Sequence, residues 1–175
     1  MRAVSGFCLV LVLILFATSY GFDGKRKGFV LGFGGGFGTL TSPDSDYDRI
    51  SGLATELLLG HGGSEQLMIL YSGQQFWYAR SDVFYSYAEP GVVLRYYFSP
   101  QSPTFYVDGG PSFAAGVGVA DGEGGAFLGG VGGHLSVGYE FAQHWELQGS
   151  VAYNFFTVNQ GGILNVAVTL QALAF

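Results

Sequence analysis

The sequence predicts an all-β fold: an eight-stranded antiparallel up-and-down transmembrane β-barrel, preceded by a signal peptide. Three observations lead there. Among 175 residues, 30 are Gly, 17% are aromatic and only 11% are charged, far from the roughly 25% charged residues and about 7% Gly of a soluble globule. Apolar residues recur at every second position, the strand period, rather than every third or fourth. No apolar stretch beyond the first twenty residues is long enough for a membrane helix, which needs about 20 residues.

The same figures exclude other classes. A formal charge of −6 does not suit phosphate contacts, so nucleic acid is not an expected partner. The aromatic content argues against disorder. A single Cys rules out a disulfide scaffold and a thiolate zinc cluster.

The N-terminus reads as an export signal. Arg2 is followed by the apolar run Phe7 to Phe16 and by small residues from Ala17 to Gly21, the layout of a secretory signal peptide. Residues 1–19 are assigned to it, with cleavage near 19–21, and residues 20–175 to one barrel domain. The only Cys, Cys8, lies in the apolar run and leaves with it. Loss of Arg2 makes the exported chain one charge more acidic.

Eight alternating segments follow. Phe29, Leu31, Phe33, Gly35 and Phe37 form one face of the first, against a face of almost nothing but Gly. In the second, Leu53, Leu57 and Leu59 oppose Ala54, Glu56 and Leu58. The parity of 66–78 is ambiguous. In the fourth, Ala88, Pro90, Val92, Leu94, Tyr96 and Phe98 oppose Glu89, Gly91, Val93, Arg95 and Tyr97. Phe105 to Val117 continues the pattern on odd positions, as do Val131 to Phe141 and Trp145 to Phe155, and Leu164, Val166, Val168 and Leu170 carry it on even positions. Ala142-Gln143-His144 joins the sixth and seventh segments as a hairpin. Each strand with its link takes about 19 residues, enough for a span and a turn.

The links alternate too. Thr41–Ile50, Arg80–Phe84, Ala120–Gly125 and Asn159–Gly162 carry most of the loop Asp, and they interleave with the short turns His61–Glu65, Ser99–Pro103 and Ala142–His144. Outer-membrane barrels have short periplasmic turns and longer external loops, so the first set is expected outside. Asp44, Asp46 and Asp48 lie in its first member; they lack the Gly and terminal Glu of a calcium loop and read as a solvated acidic loop. No metal site or cofactor is expected.

An oily face rich in large aromatics suits lipid, and closure leaves no unpaired backbone edge in hydrocarbon. Trp77, Tyr78, Tyr85, Tyr97, Phe98, Phe141, Trp145 and Phe155 are expected at the interfacial girdles. On the polar face, Glu56, Glu89, Arg95, Asp108, His134, Glu140 and Glu146 are expected to form a charge network in a lumen too narrow for a diffusion pore. Arg95 is the one cation among them, and its fork suits carboxylates. The network reads as a structural ion-pair plug, with a proton or ion path as the alternative. Gly110, Gly116, Gly130, Gly132 and Gly138 are expected to make room for Arg95, Tyr106 and Phe156.

By KGFVLGFGGGFG at 27–38, FYVDGGPSFAAGVG at 105–118, VGYEFAQHWELQGSVAYNF at 137–155 and the terminal Phe175, the chain resembles the small OmpA/OmpX-like outer-membrane β-barrel family of Gram-negative bacteria. The resemblance implies an outer-membrane location, contact with outer-membrane lipids and lipopolysaccharide, a monomer, and Phe175 as the signal read by the barrel-assembly machinery. In the family the terminal Phe shares its face with the apolar alternates before it. Here that parity gives Leu173, Gln171, Thr169 and Ala167, so either a bulge shifts register after Leu170 or the signal is weak.

His134 and Ser136 also resemble the His-x-Ser core of the lipid A deacylase family, whose eight-stranded barrels place a Glu on the next strand. That family follows the Ser with Asn-Ala, where Val137-Gly138 stand here. A turn centred near Gln143 sets Ser136 against Ser150 and Glu140 against Glu146. His134 then lies six residues, about 20 Å, from the level of Glu146, beyond the hydrogen-bond reach that a base and its orienting acid require. The expected role is therefore a non-enzymatic integral outer-membrane barrel, for envelope integrity or surface interaction. A lipid A deacylase-like hydrolase and a soluble lipocalin-like carrier are the alternatives, the carrier requiring the reverse parity of Trp145 to Phe155.

Overall fold

The computed structural model describes residues 25–42, 49–80, 83–120, 127–156 and 161–175. The signal segment with its cleavage region, the aspartates of the first long link and the link 121–126 lie outside the described residues. Eight strands follow one another: β1 (Gly28–Thr41), β2 (Ile50–Gly62), β3 (Leu67–Arg80), β4 (Val83–Tyr97), β5 (Thr104–Ala120), β6 (Phe127–Ala142), β7 (Trp145–Phe156) and β8 (Gly161–Ala174). Each pairs antiparallel with its sequence neighbour, and β8 pairs with β1, closing the barrel. Short turns at 63–66, 98–103 and 143–144 share one end. Strand lengths run from 12 residues in β7 to 17 in β5, more than the about 9–11 that a tilted strand needs to cross hydrocarbon.

Period two sorts the side chains. In β7 every odd position is exposed and every even one buried, and the other strands alternate likewise. Phe33, Phe37, Phe113, Leu135, Val137 and Val168 are each more than half exposed on the outer wall. A wall of this kind is stable only against lipid, because in water so large an apolar surface drives association. The parity also excludes the lipocalin-like alternative, since the branched and aromatic residues of Trp145 to Phe155 face out. The ambiguous third segment resolves with Leu67, Ile69 and Tyr71 outward and Met68, Leu70 and Ser72 inward.

Aromatics ring the short-turn end: Tyr96, Phe98, Phe105, Tyr139, Phe141 and Trp145 are all exposed there, with Phe105 and Tyr139 rings 4.6 Å apart. Three residues expected at the girdles are elsewhere. Tyr97 and Tyr78 are buried in the lumen, and Tyr85 stacks on Tyr78 at 6.0 Å and packs against the same interior cluster. Their place near strand ends suggested an interface, but their parity turns them inward.

The interior has an apolar–polar–apolar order repeated from strand to strand. One apolar cluster includes Val30, Leu58, Leu70, Val93, Tyr106 and Leu173 toward the short-turn end. The other includes Leu40, Ala54, Phe76, Tyr87, Ala114 and Phe156 toward the long-link end. Between them, inward positions are polar: Glu56 on β2, Ser72 and Gln74 on β3, Glu89 on β4, Asp108 and Ser112 on β5, Thr169 and Gln171 on β8. β1 supplies only glycines across this zone. The expected room is found at Gly138, where an added Cβ would come within 2.1 Å of the Tyr106 ring, and at Gly130, which faces Phe156 at 3.3 Å.

Candidate functional site

Parity places all seven expected lumen residues inside, each buried. The centre is Arg95 on β4, which stands directly opposite Asp108 in the β4–β5 ladder. Its Nε donates to Asp108 Oδ2 at 2.8 Å, with Nη2 2.7 Å from the same oxygen. Nη1 donates to Glu146 Oε2 at 2.6 Å and Nη2 to Gln148 Oε1 at 2.9 Å. Glu146 and Gln148 are two residues apart on β7 and so share its inner face. The guanidinium lies 4.2 Å over the Tyr106 ring, a cation–π contact strengthened by exclusion of water. Tyr97 completes the site, its hydroxyl donating to Glu146 Oε1 at 2.5 Å. One planar fork thus holds two carboxylates, the bidentate chemistry for which Arg is suited.

Glu56 has no arginine or lysine partner among the described residues. Its carboxylate accepts from Ser72 Oγ at 2.7 Å, Gln171 Nε2 at 2.7 Å, Gln148 Nε2 at 3.2 Å and Gln74 Nε2 at 3.3 Å. Four neutral donors replace the water that a buried carboxylate has lost. Glu89 is thinner in support: Asn165 Nδ2 donates to its Oε2 at 3.2 Å.

Glu140 and Glu146 face each other across β6 and β7, and each has its own cation. The partner of Glu140 is Arg26, just ahead of β1. This corrects the expectation that Arg95 is the only cation inside. Arg26 Nη1 also donates to the carbonyls of Ser99 at 2.9 Å and Glu65 at 3.2 Å, its guanidinium lies 4.1 Å over Tyr97, and its amide donates to Glu65 Oε2 at 3.1 Å. It ties the chain's entry to two turns and one strand, at the edge of a cavity of about 490 Å³ that Glu65, Ser102, Glu140 and Phe175 also line.

His134 and Ser136 are in contact, Nε2 to Oγ at 2.5 Å. Asp108 Oδ1 lies 3.6 Å from the same Nε2. A triad needs the acid on the opposite ring nitrogen from the nucleophile, so this arrangement leaves Ser136 without an oriented base. Ser136 pairs with Ser150 and Glu140 with Glu146, the register that the hairpin predicts, so Glu146 does not reach His134. Among the described residues no three His, Cys, Asp or Glu side chains are grouped so as to hold a metal ion.

Phe175 is also inside. The ladders of β8 with β1 and β7 run without a register shift, so no bulge restores the family parity. Phe175 is buried with Leu173 and packs at a tilt against His144, ring centroids 4.6 Å apart, and His144 holds a left-handed φ of 73° in the two-residue turn.

No family model matches the chain, and no curated protein matches it. Solved structures do. Neisserial surface protein A has a TM-score of 0.60 at 15% identity, over 83% of this chain and 97% of that one. Ail, the attachment invasion locus protein of Yersinia pestis, gives 0.59 at 9% identity over 84% and 99%. The outer membrane protein OprG of Pseudomonas aeruginosa gives 0.50 at 12% identity over 86% and 98%. The chain has the fold of the small eight-stranded outer-membrane β-barrels.

Proposed function

We propose that the protein is a non-enzymatic barrel without a diffusion pore, which contributes to envelope integrity or to contacts at the cell surface. The observation that carries this reading is the filled interior, apolar at both ends and bonded across the middle from strand to strand. An eight-stranded barrel filled in this way has no space for solutes. The His134–Ser136 geometry supports the absence of catalysis, because both side chains are buried in the lumen and lipid substrates lie outside. A place at the cell surface is consistent with similar folds named as a surface protein and an attachment invasion locus protein.

Outer-membrane lipids and lipopolysaccharide are the partners for the aromatic rings, and the barrel works as a monomer. Phe175 serves the barrel-assembly machinery before closure, while β8 is still unpaired, since closure buries it. Purified protein in a planar bilayer is expected to give no steady conductance and no lipid A or phospholipid hydrolysis. A deletion strain is expected to gain sensitivity to detergents and bile salts. Stable ohmic channels, or turnover abolished by Ser136→Ala, would refute the reading.

A further inference from the structure

Around Glu89 three buried side-chain oxygens lack a donor. Glu89, Gln74 and Asn165 are each about 2% exposed or less. Glu89 Oε1, Gln74 Oε1 and Asn165 Oδ1 have no hydrogen-bond partner among the described residues. Gln74 stands directly opposite Glu89 in the β3–β4 ladder, and such inward neighbours lie about 4.5–5.5 Å apart at Cβ. Asn165 touches Glu89 from β8, across the lumen.

The two amide oxygens are held in that state by their own nitrogens. Asn165 Nδ2 is committed to Glu89 Oε2, and Gln74 Nε2 to Glu56 Oε2 and Ser150 Oγ, both at 3.3 Å. Flipping either amide would set its oxygen against a carboxylate. Ser112 and Asn154 nearby are already engaged: Ser112 donates to Asn154 Oδ1 at 3.1 Å, and Asn154 Nδ2 to the Tyr87 hydroxyl at 3.0 Å. No arginine or lysine among the described residues pairs with Glu89. A fourth acceptor, Asp108 Oδ1, differs because it faces His134 at 3.6 Å.

We propose that Glu89 Oε1, Gln74 Oε1 and Asn165 Oδ1 bind one small monovalent cation, sodium or potassium, inside the barrel. Hard cations select oxygen ligands, and calcium sites gather several carboxylates. Here one carboxylate and two neutral amides present a single negative charge, which a single positive charge matches. Tyr87 with Phe76 at 6.0 Å and Phe156 at 6.5 Å covers the long-link side, and buried Val93, beyond Gly91 on the same inner face of β4, lies toward the short-turn end. The ion therefore enters as the barrel forms and leaves slowly. This inference is independent of the envelope role.

The test is to refold the chain into detergent micelles in sodium, potassium or choline chloride at equal ionic strength, then pass it into choline buffer. Retained ion is measured by atomic emission and stability by heat unfolding. The expected result is stoichiometric sodium or potassium, with a higher transition than in choline. Glu89→Gln is expected to retain none and to melt alike in all three salts, and Gln74→Met to retain less than the wild type. If the wild type holds no ion and is indifferent to the salt, or if its infrared spectrum in sodium carries a protonated carboxyl band that Glu89→Gln removes, water or a proton fills this role and the proposal fails.

Discussion

Arg95 and Glu56 do not touch, yet one amide joins them: Gln148 accepts from Arg95 at 2.9 Å through Oε1 and donates to Glu56 at 3.2 Å through Nε2. The Tyr106 hydroxyl donates to the same Gln148 oxygen at 2.9 Å. The ion pair on one side of the lumen and the amide-solvated carboxylate on the other thus form one network. Removing a member exposes the rest to an unmet desolvation cost.

Arg95→Ala leaves Asp108 and Glu146 buried without a cation. Breaking a buried pair from one side costs about 3–5 kcal/mol, so the heat-unfolding transition in micelles is expected to fall by many degrees. Arg95→Lys is expected to recover only part of it, since a point charge cannot hold two carboxylates, an amide and a ring face at once. A transition unchanged in Arg95→Ala would remove the ion-pair plug.

Arg26→Ala is expected to act locally. It strands Glu140 and releases the turns at 63–66 and 98–103, so their amides should exchange hydrogen faster while the middle of β7 stays protected. Hydrogen exchange by mass spectrometry reads both regions in one experiment. Uniform loss of protection would mean that Arg26 holds the whole barrel rather than its mouth.

The closing seam sets a third contrast. A Cβ on Gly36 would lie 1.9 Å from the Val168 carbonyl oxygen and 2.8 Å from Thr169 Cα, whereas one on Gly35 meets nothing within 4 Å. Gly36 and Thr169 are partners in the β1–β8 ladder, so Gly36→Ala must push the seam apart. A cost of about 1–3 kcal/mol is expected for such overpacking, read as a smaller heat-modifiable fraction on gels. Gly35→Ala is expected to fold like the wild type or slightly better, through a less flexible unfolded chain.

Strand number, the side of nearly every strand and the burial of the acidic residues were legible in the sequence because all follow from period two. What parity does not carry was missed. Arg26 precedes the first alternating segment, so nothing in the pattern aims it at Glu140. Nearness to strand ends suggests the girdles for Tyr78, Tyr85 and Tyr97, but position along a strand does not set the face, and Tyr97 shares the face of Arg95. Gln74, Gln148, Gln171 and Asn165 share inward positions with the acids and complete their bonding, but a neutral amide carries no charge to mark it in the sequence as a carboxylate's partner. Phe175 shares the parity of Leu173 and Gln171, and the unbroken ladders of β8 leave it inside.

The most direct measurement places single cysteines along β7, from Trp145 to Phe156, in a chain whose only native Cys, Cys8, is replaced. The protein is reconstituted in bilayers and probed with a lipid-borne quencher and a water-soluble thiol reagent. Labels at 147, 151 and 153 are expected to be quenched from lipid and shielded from water, and those at 148, 150 and 152 to be reached by neither. Labelling of the even set from water would mean an open, hydrated lumen, and labelling of the odd set from water would mean that this wall does not face lipid; either result contradicts a plugged membrane barrel.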